Sequence, residues 1–239
     1  MSSPLVVLII GGGSNVGAHV AQKLKTEGYR VAIGSRNPDS EALKRQGLLP
    51  VSVDGADSKS IKDAFKLVRD HLGEPNVVVY NLGLHIPPKS PNDPLAVSAE
   101  DFAKTSNVGG GVLVAAQEAL ASFRSSKNSN APKVFISTGN LLPFIKKTVP
   151  SFFALDLQKG IMATTMQYAN QFYTEEGFRF HYATLVGPDG GIPNLSSDAK
   201  EGFFTTGGPA HAEAYWNLIS RAEAETWDYR FTYDGKKFG

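Results

Sequence analysis

The run GGGSNVG, Gly11 to Gly17, is the first pattern in the chain that could do chemistry. It follows the apolar run LVVLII and leads into AHVAQKL, whose apolar residues are spaced as on a helix. A strand-to-helix turn of this kind presents backbone N–H groups and a helix N-terminus, which together attract a phosphate or diphosphate. Gly11 and Gly13 allow a tight, uncovered turn that Ser14 and Asn15 continue, and Gly17 lets the helix lie close on the strand. A second pattern is GSRN, residues 34–37, where the Ser35 hydroxyl and the Arg36 guanidinium fork suit a phosphate monoester. A third is Lys159 in FFALDLQKG. Leu155, Met162, Met166, Ala169 and Tyr173 form one apolar helical stripe, and Lys159 interrupts it one turn after Leu155. A lysine on an apolar face either snorkels or is paired.

The elements that must position these residues follow from the hydrophobic pattern. Apolar β-rich runs recur at 5–10, 30–34, 49–53, 76–81, 133–138 and 178–186, with helical spacing between them at 16–27, 39–46, 58–72, 99–124 and 151–174. Such alternation predicts parallel strands joined by right-handed crossovers: a single-domain, doubly wound, Rossmann-like parallel sheet over 1–239 with helices on both faces. A last helix near 209–225 leads into WDYRFTY, a closing strand. Ser98 and Asp101 form a capping-box pattern at the start of the fourth long helix. Gly109 to Gly111 inside that helix cost about 1 kcal/mol each relative to alanine, which close packing would offset. Gly187 to Pro209 is too long for a simple connection and reads as a functional loop, in which Phe203 and Phe204 either line a pocket or anchor the loop.

Composition removes several function classes. The 239 residues carry 24 Lys plus Arg against 23 Asp plus Glu, and a net charge of +1 gives no field to favour nucleic acid or an acidic membrane. There is no cysteine, hence no disulfide and no thiolate nucleophile, and the five histidines have no spacing typical of a metal site. A reducing, cytoplasmic setting is expected. LVVLII is too short to span a bilayer and lacks a preceding basic region. Asn194-Leu195-Ser196 matches a glycosylation acceptor but reads as an ordinary loop.

The common dinucleotide fingerprint, counted from Gly11 and Gly13, asks for glycine or alanine at Val16, and the third glycine falls one residue later. That wider spacing resembles the TGxxxGxG turn of the short-chain dehydrogenase/reductase family, with Ile10, Gly11, Asn15 and Gly17 at its fixed positions. Asn15 replaces a glycine there, and asparagine is the non-glycine residue best able to take its left-handed backbone. No carboxylate ends the second strand to accept from the ribose of NAD, and Ser35 with Arg36 suits the 2′-phosphate instead, so NADP(H) is expected over NAD(H). The resemblance extends in order along the chain. It implies Asp54 beside adenine, Asn81 and Gly83 of YNLG where the family has NNAG, Asn107 organising a water chain, and Thr138 or Ser137 on the substrate oxygen. It also implies Lys159 on the ribose hydroxyls and Gly187, in VGPDGG, cradling the nicotinamide, with Val186 where the family has proline.

The family's catalytic pair is YxxxK, and counting back four from Lys159 gives Leu155. The resemblance therefore implies an atypical oxidoreductase that reduces an imine, enone or activated carbonyl of a small molecule, with Leu155 as an apolar wall. His85 and Asp156 are candidates for a relocated acid, and Asp189 reads as a turn residue. Two other readings stay open: a non-catalytic NADP(H) sensor, and an isomerase or cyclase that uses the nucleotide as a pocket wall. Association through the fourth and fifth long helices, as the family uses, predicts a homodimer or homotetramer.

Overall fold

The computed structural model describes residues 4–221 and 226–239. Seven strands, β1 (Val6–Ile10), β2 (Arg30–Ser35), β3 (Leu49–Ser52), β4 (Val77–Tyr80), β5 (Val134–Thr138), β6 (Arg179–Leu185) and β7 (Asp228–Phe231), form one sheet in the order β3-β2-β1-β4-β5-β6-β7. Every pairing is parallel. Among the described residues six α-helices alternate with them: α1 (Val16–Thr26), α2 (Ser40–Arg45), α3 (Ser58–Leu72), α4 (Ala99–Ser125), α5 (Phe153–Tyr173) and α6 (Gly207–Ser220). The central strands are buried on both faces, which is why they read as continuous apolar runs. Along β1, Leu8 and Ile10 pack with α3, α4 and α5, whereas Val7 and Ile9 pack with α1 and α6. The doubly wound expectation is met.

Local chemistry sets the helix ends. Ser98 Oγ accepts from Asp101 N at 3.0 Å and donates to the Asp101 carboxylate at 2.7 Å, the capping expected from sequence. The helix expected over 209–225 instead begins at Gly207 and ends at Ser220, and the last part of that expectation, 222–225, lies outside the described residues. In α4, the glycine run divides. A Cβ on Gly109 would sit 3.0 Å from the Gln158 carbonyl of α5, and one on Gly111 2.0 Å from the Gly55 carbonyl. Gly110 meets nothing, so close packing accounts for two of the three glycines.

Strand order reverses between β1 and β4, and the crevice beyond the carboxyl ends of these strands is where open α/β sheets bind ligands. The loop after β6 runs from 186 to 206, and Asn15 in the turn after β1 bonds to its Phe203 carbonyl.

Candidate active site

The glycine turn lies in this crevice. Gly11 has φ +110°, and a Cβ there would fall 2.2 Å from the Asn81 carbonyl at the end of β4. Asn81 Nδ2 donates back to the Gly11 carbonyl at 2.8 Å, so the ends of β1 and β4 are tied together. Gly17 lies equally close to the Gly11 carbonyl, which brings the start of α1 onto the turn. Beyond Gly13, by contrast, nothing lies within 4 Å of an added Cβ, and α1 opens without a side-chain cap. Ala18 N donates to the Gly13 carbonyl, so the N–H groups ahead of it, of Val16 and Gly17, are the ones placed for an outside acceptor, and the open face at Gly13 lets a diphosphate approach them. A dinucleotide fits this cradle.

Asn15 departs from expectation. Its φ is −89°, no non-glycine residue among those described has a positive φ, and its Nδ2 donates to the Phe203 carbonyl at 3.1 Å. Asparagine here ties the phosphate turn to the loop after β6.

Two hollows open from the turn and share Gly13, Asn81, Leu82 and Gly83 as wall. The smaller, about 300 Å³, lies between Ser35, Arg36, Asp54 and Val108 and has the size of an adenosine end. Asp54 Oδ1 accepts from Ala56 N at 3.0 Å, which fixes the loop after β3. Tyr80, in place of the first NNAG asparagine, donates its hydroxyl to the Val108 carbonyl at 2.6 Å and locks β4 against α4.

The larger hollow, about 680 Å³, holds Thr138, Leu155 and Lys159. One turn of α5 separates Leu155 from Lys159, so both face it. Lys159 Nζ donates to the carbonyls of Leu82 at 2.9 Å and Thr138 at 2.8 Å, which spans β4 and β5. Burial pushes its pKa down to about 7. The Thr138 hydroxyl lies 2.7 Å from that of Tyr215. Ser137 is fully buried, its Oγ has no partner among the described residues, and it reaches neither hollow, so of the two it is Thr138 that places a hydroxyl on the wall. Phe203 and Phe204 both line the hollow.

Several expected residues stand elsewhere. Asn107 is on the exposed face of α4, outside both hollows, because the α4 face turned inward carries Thr105, Val108 and Gly109. Gln158 supplies the polar bridge there, with Nε2 donating to the Thr105 carbonyl and Oε1 accepting from Leu84 N. Gly187 is buried in a turn closed by Gly187 N to Gly191 O, and Leu185 and Ile192 form the wall instead. Asp189 Oδ1 caps that turn by accepting from Gly191 N. Asp156 opens into a groove on the outer side of α5, away from Lys159. His85 does line the hollow, with Nε2 bonded to the Ser151 carbonyl at 2.8 Å.

Sequence reasoning missed His211, Gln158 and Tyr215. His211 lines the larger hollow although only 1% exposed. The one available signal was that α6 is apolar on nearly every face, so its polar residues had to be buried.

The family model for short chain dehydrogenases matches residues 5–140. A short chain dehydrogenase/reductase from Cryptosporiopsis sp. is 32% identical over 242 residues, covering 95% of this chain and 91% of that protein. The 3-oxoacyl-[acyl-carrier-protein] reductase MabA of Mycobacterium tuberculosis is 36% identical over 78 residues, a third of this chain and 30% of its own. Among solved structures, a 3-ketoacyl-(acyl-carrier-protein) reductase from Brucella melitensis complexed with NADH superposes with TM-score 0.73 at 17% identity, covering 95% of this chain and 96% of that one. The crevice at the β1/β4 reversal, the glycine cradle and these likenesses agree, and the chain belongs to the short chain dehydrogenase family of oxidoreductases that use a nicotinamide cofactor.

Proposed function

We propose that this chain is an NADP(H)-dependent reductase that works without the tyrosine acid of its family, on an imine, enone or activated carbonyl of a small molecule. The observation that carries the reading is Leu155, which stands on the cavity wall one turn from Lys159, while no tyrosine lines that cavity among the described residues. A positioned general acid contributes about 10²- to 10⁴-fold, whereas holding the reactants in a near-attack geometry supplies roughly 7 to 11 kcal/mol. Hydride transfer therefore survives loss of the acid best where the substrate demands little proton transfer.

Bound in the cradle, the reduced nicotinamide supplies the hydride. Gly11, Gly13, Ser14, Asn15 and Gly17 would receive the diphosphate, Ser35 and Arg36 the 2′-phosphate, Asp54 the adenine side, and Lys159 the ribose hydroxyls. Asn81 and Gly83 form the wall common to both hollows. Thr138 offers a hydroxyl to the substrate oxygen, and Leu155, Phe203 and Phe204 keep water from the reacting face.

We also read the outer side of α4 and α5 as the face that joins two copies. It holds a groove of about 1070 Å³ whose wall includes the exposed Leu113, Leu157, Ile161, Tyr168 and Phe172. A homodimer or homotetramer in the reducing cytoplasm fits these residues and the absence of cysteine. Among the described residues, no helix is long and apolar enough to cross a membrane.

The test measures NADPH and NADH affinities in wild type and Arg36→Ala, then follows NADPH consumption across cyclic iminium ions, enones and activated ketones. Tighter binding of NADPH, lost in Arg36→Ala, together with turnover of at least one class supports the reading. Tight binding with no turnover on any class overturns the redox assignment, and equal wild-type affinities overturn the NADP preference.

A further inference from the structure

We propose that His211 is the hydrogen-bond acceptor by which the larger cavity selects its substrate, favouring a largely apolar compound that carries no anionic group and presents an O–H donor. This rests on the reading of that cavity as the substrate site and names the class of compound it takes. His211 lies in α6, is buried, and shares the cavity wall with Thr138, Leu155 and Lys159. Its Nδ1 is 2.6 Å from the Gly207 carbonyl oxygen. A carbonyl only accepts, so Nδ1 carries the hydrogen, and the neutral ring keeps a lone pair on Nε2. With Nδ1 turned back along its own helix, Nε2 has no bonding partner among the described residues and is the ring nitrogen left for the cavity that His211 lines.

The ring cannot swing away from this duty. Phe203, Tyr215 and Phe231 stand edge-on to it, with centroids 6.2, 5.6 and 4.9 Å distant. Burial, with the Lys159 charge adding to it, pushes the His211 pKa down to about 4, so the neutral acceptor is the form present near neutral pH.

Apart from Ser14, which is exposed beside the glycine turn, the other polar side chains on the wall are engaged. Asn15 holds the Phe203 carbonyl, Asn81 holds that of Gly11, Asn140 Oδ1 accepts from Leu142 N, and Thr138 pairs with Tyr215. His85 is exposed at the rim and gives its Nε2–H to Ser151. No carboxylate and no arginine lines the cavity among the described residues, and Lys159 is already shared between two carbonyls. A carboxylate or phosphate substrate would meet only this shared Lys159, and desolvating its charge would be costly. A compound with a hydroxyl in reach of Nε2 satisfies a buried lone pair, whereas its methyl ether leaves that lone pair dry.

The probes are 2-naphthol and 2-methoxynaphthalene, titrated by calorimetry into the full-length protein with and without NADPH. The expected result is that the naphthol binds about 10- to 100-fold tighter than the ether. The ¹⁵N resonance of His211 Nε2 should move on adding the naphthol and stay put on adding the ether. His211→Phe, which keeps a ring among the same neighbours, should bring the two affinities together while the ether binds as before. Equal affinities in wild type, an unmoved Nε2 resonance, a preference that survives in His211→Phe, or no binding of either compound would each overturn the proposal. The Nε2 signal is read in wild type and does not depend on the variant folding. None of these readouts needs turnover, so their failure is distinct from failure of the reductase reading.

Discussion

Replacing Leu155 by tyrosine puts the active-site reading under the most direct strain. Leu155 is half-buried and faces a cavity of about 680 Å³, so the larger ring enters open volume and not the packed core. One turn away, Lys159 is the only Lys or Arg on that wall among the described residues, and a nearby positive charge favours the phenolate and so lowers the new phenol's pKa. A well-placed general acid is worth about 10²- to 10⁴-fold, equivalent to roughly 2.7 to 5.4 kcal/mol off the barrier. The gain should depend on the substrate. A simple ketone needs a proton as hydride arrives, whereas a preformed iminium ion needs none. Following NADPH absorbance, Leu155→Tyr should raise turnover of a simple ketone by about 10²- to 10⁴-fold and change that of a cyclic iminium ion by no more than a few-fold. Adding Lys159→Met should remove the gain. If the folded variant binds NADPH as wild type does and yet gains nothing on ketones, the cavity is not laid out for this chemistry and the reasoning fails.

Three further outcomes follow from the packing and electrostatics. Gly111→Ala drives a Cβ to 2.0 Å from the Gly55 carbonyl and 2.6 Å from the Tyr80 hydroxyl, so its Tm should fall, whereas Gly110→Ala meets nothing and should gain about 1 kcal/mol of helix propensity. Equal Tm shifts would contradict the packing described for α4. The Lys159 pKa falls from 10.5 to about 7 on folding, so the unfolded chain binds the extra proton between those values and stability rises with pH across that window. Below about pH 7 both states are charged and the penalty is present in full, so Lys159→Met should be more stable there and lack the rise in urea midpoint; parallel pH profiles would refute a buried ammonium. Light scattering should give the mass of a dimer or tetramer, reduced by Tyr168→Glu with Phe172→Glu, and a monomeric wild type would refute association through α4 and α5.

The fold was legible because its strands are buried on both faces. Runs such as LVVLII and NVVVYN leave little freedom of type, and six alternations with helical spacing leave little freedom of order. The glycine turn was legible for a different reason: Gly17 reports a close approach to Gly11 and Gly12 that is local in sequence, and Gly11, at φ +110°, has a backbone that glycine favours. Residues that meet across long separations were not. Asn107 matched its position in a one-dimensional pattern, but the rotation of α4 about its axis is set by Gly109 and Gly111 packing on α5 and the loop after β3, and that rotation leaves Asn107 exposed. Gln158, hidden beside Lys159, bridges to Thr105 and Leu84 over 53 and 74 residues. His211 joins the cavity only because α6 starts at Gly207, where Gly208 lets it approach His19 and Asn15 of the phosphate turn.

The phenols near the cleft explain why a replacement acid does not come from behind it. Tyr80 is spent on the Val108 carbonyl, Tyr182 on the backbone of Asn140, and Tyr215 on Thr138. None of the three lines either hollow, and burial pushes all of their pKa values up. Tyr215 comes nearest to serving, since Thr138 does line the larger hollow and could relay a proton from it. Giving up that proton would leave a phenolate among the rings of His211 and Phe231, and the same desolvation that raises the pKa opposes that charge. For Lys159 the sign reverses. Losing a proton turns a buried cation neutral, so burial assists it and brings its pKa to about 7. On the proposed reading, whatever weak proton demand the substrate leaves falls to the ammonium and not to the phenol. Tyr215→Phe should then alter turnover of an enone less than about tenfold, well short of what a general acid contributes, while Lys159→Met should abolish it. A loss of 10²-fold or more in Tyr215→Phe, with NADPH affinity unchanged, would instead make the Tyr215–Thr138 pair the proton path.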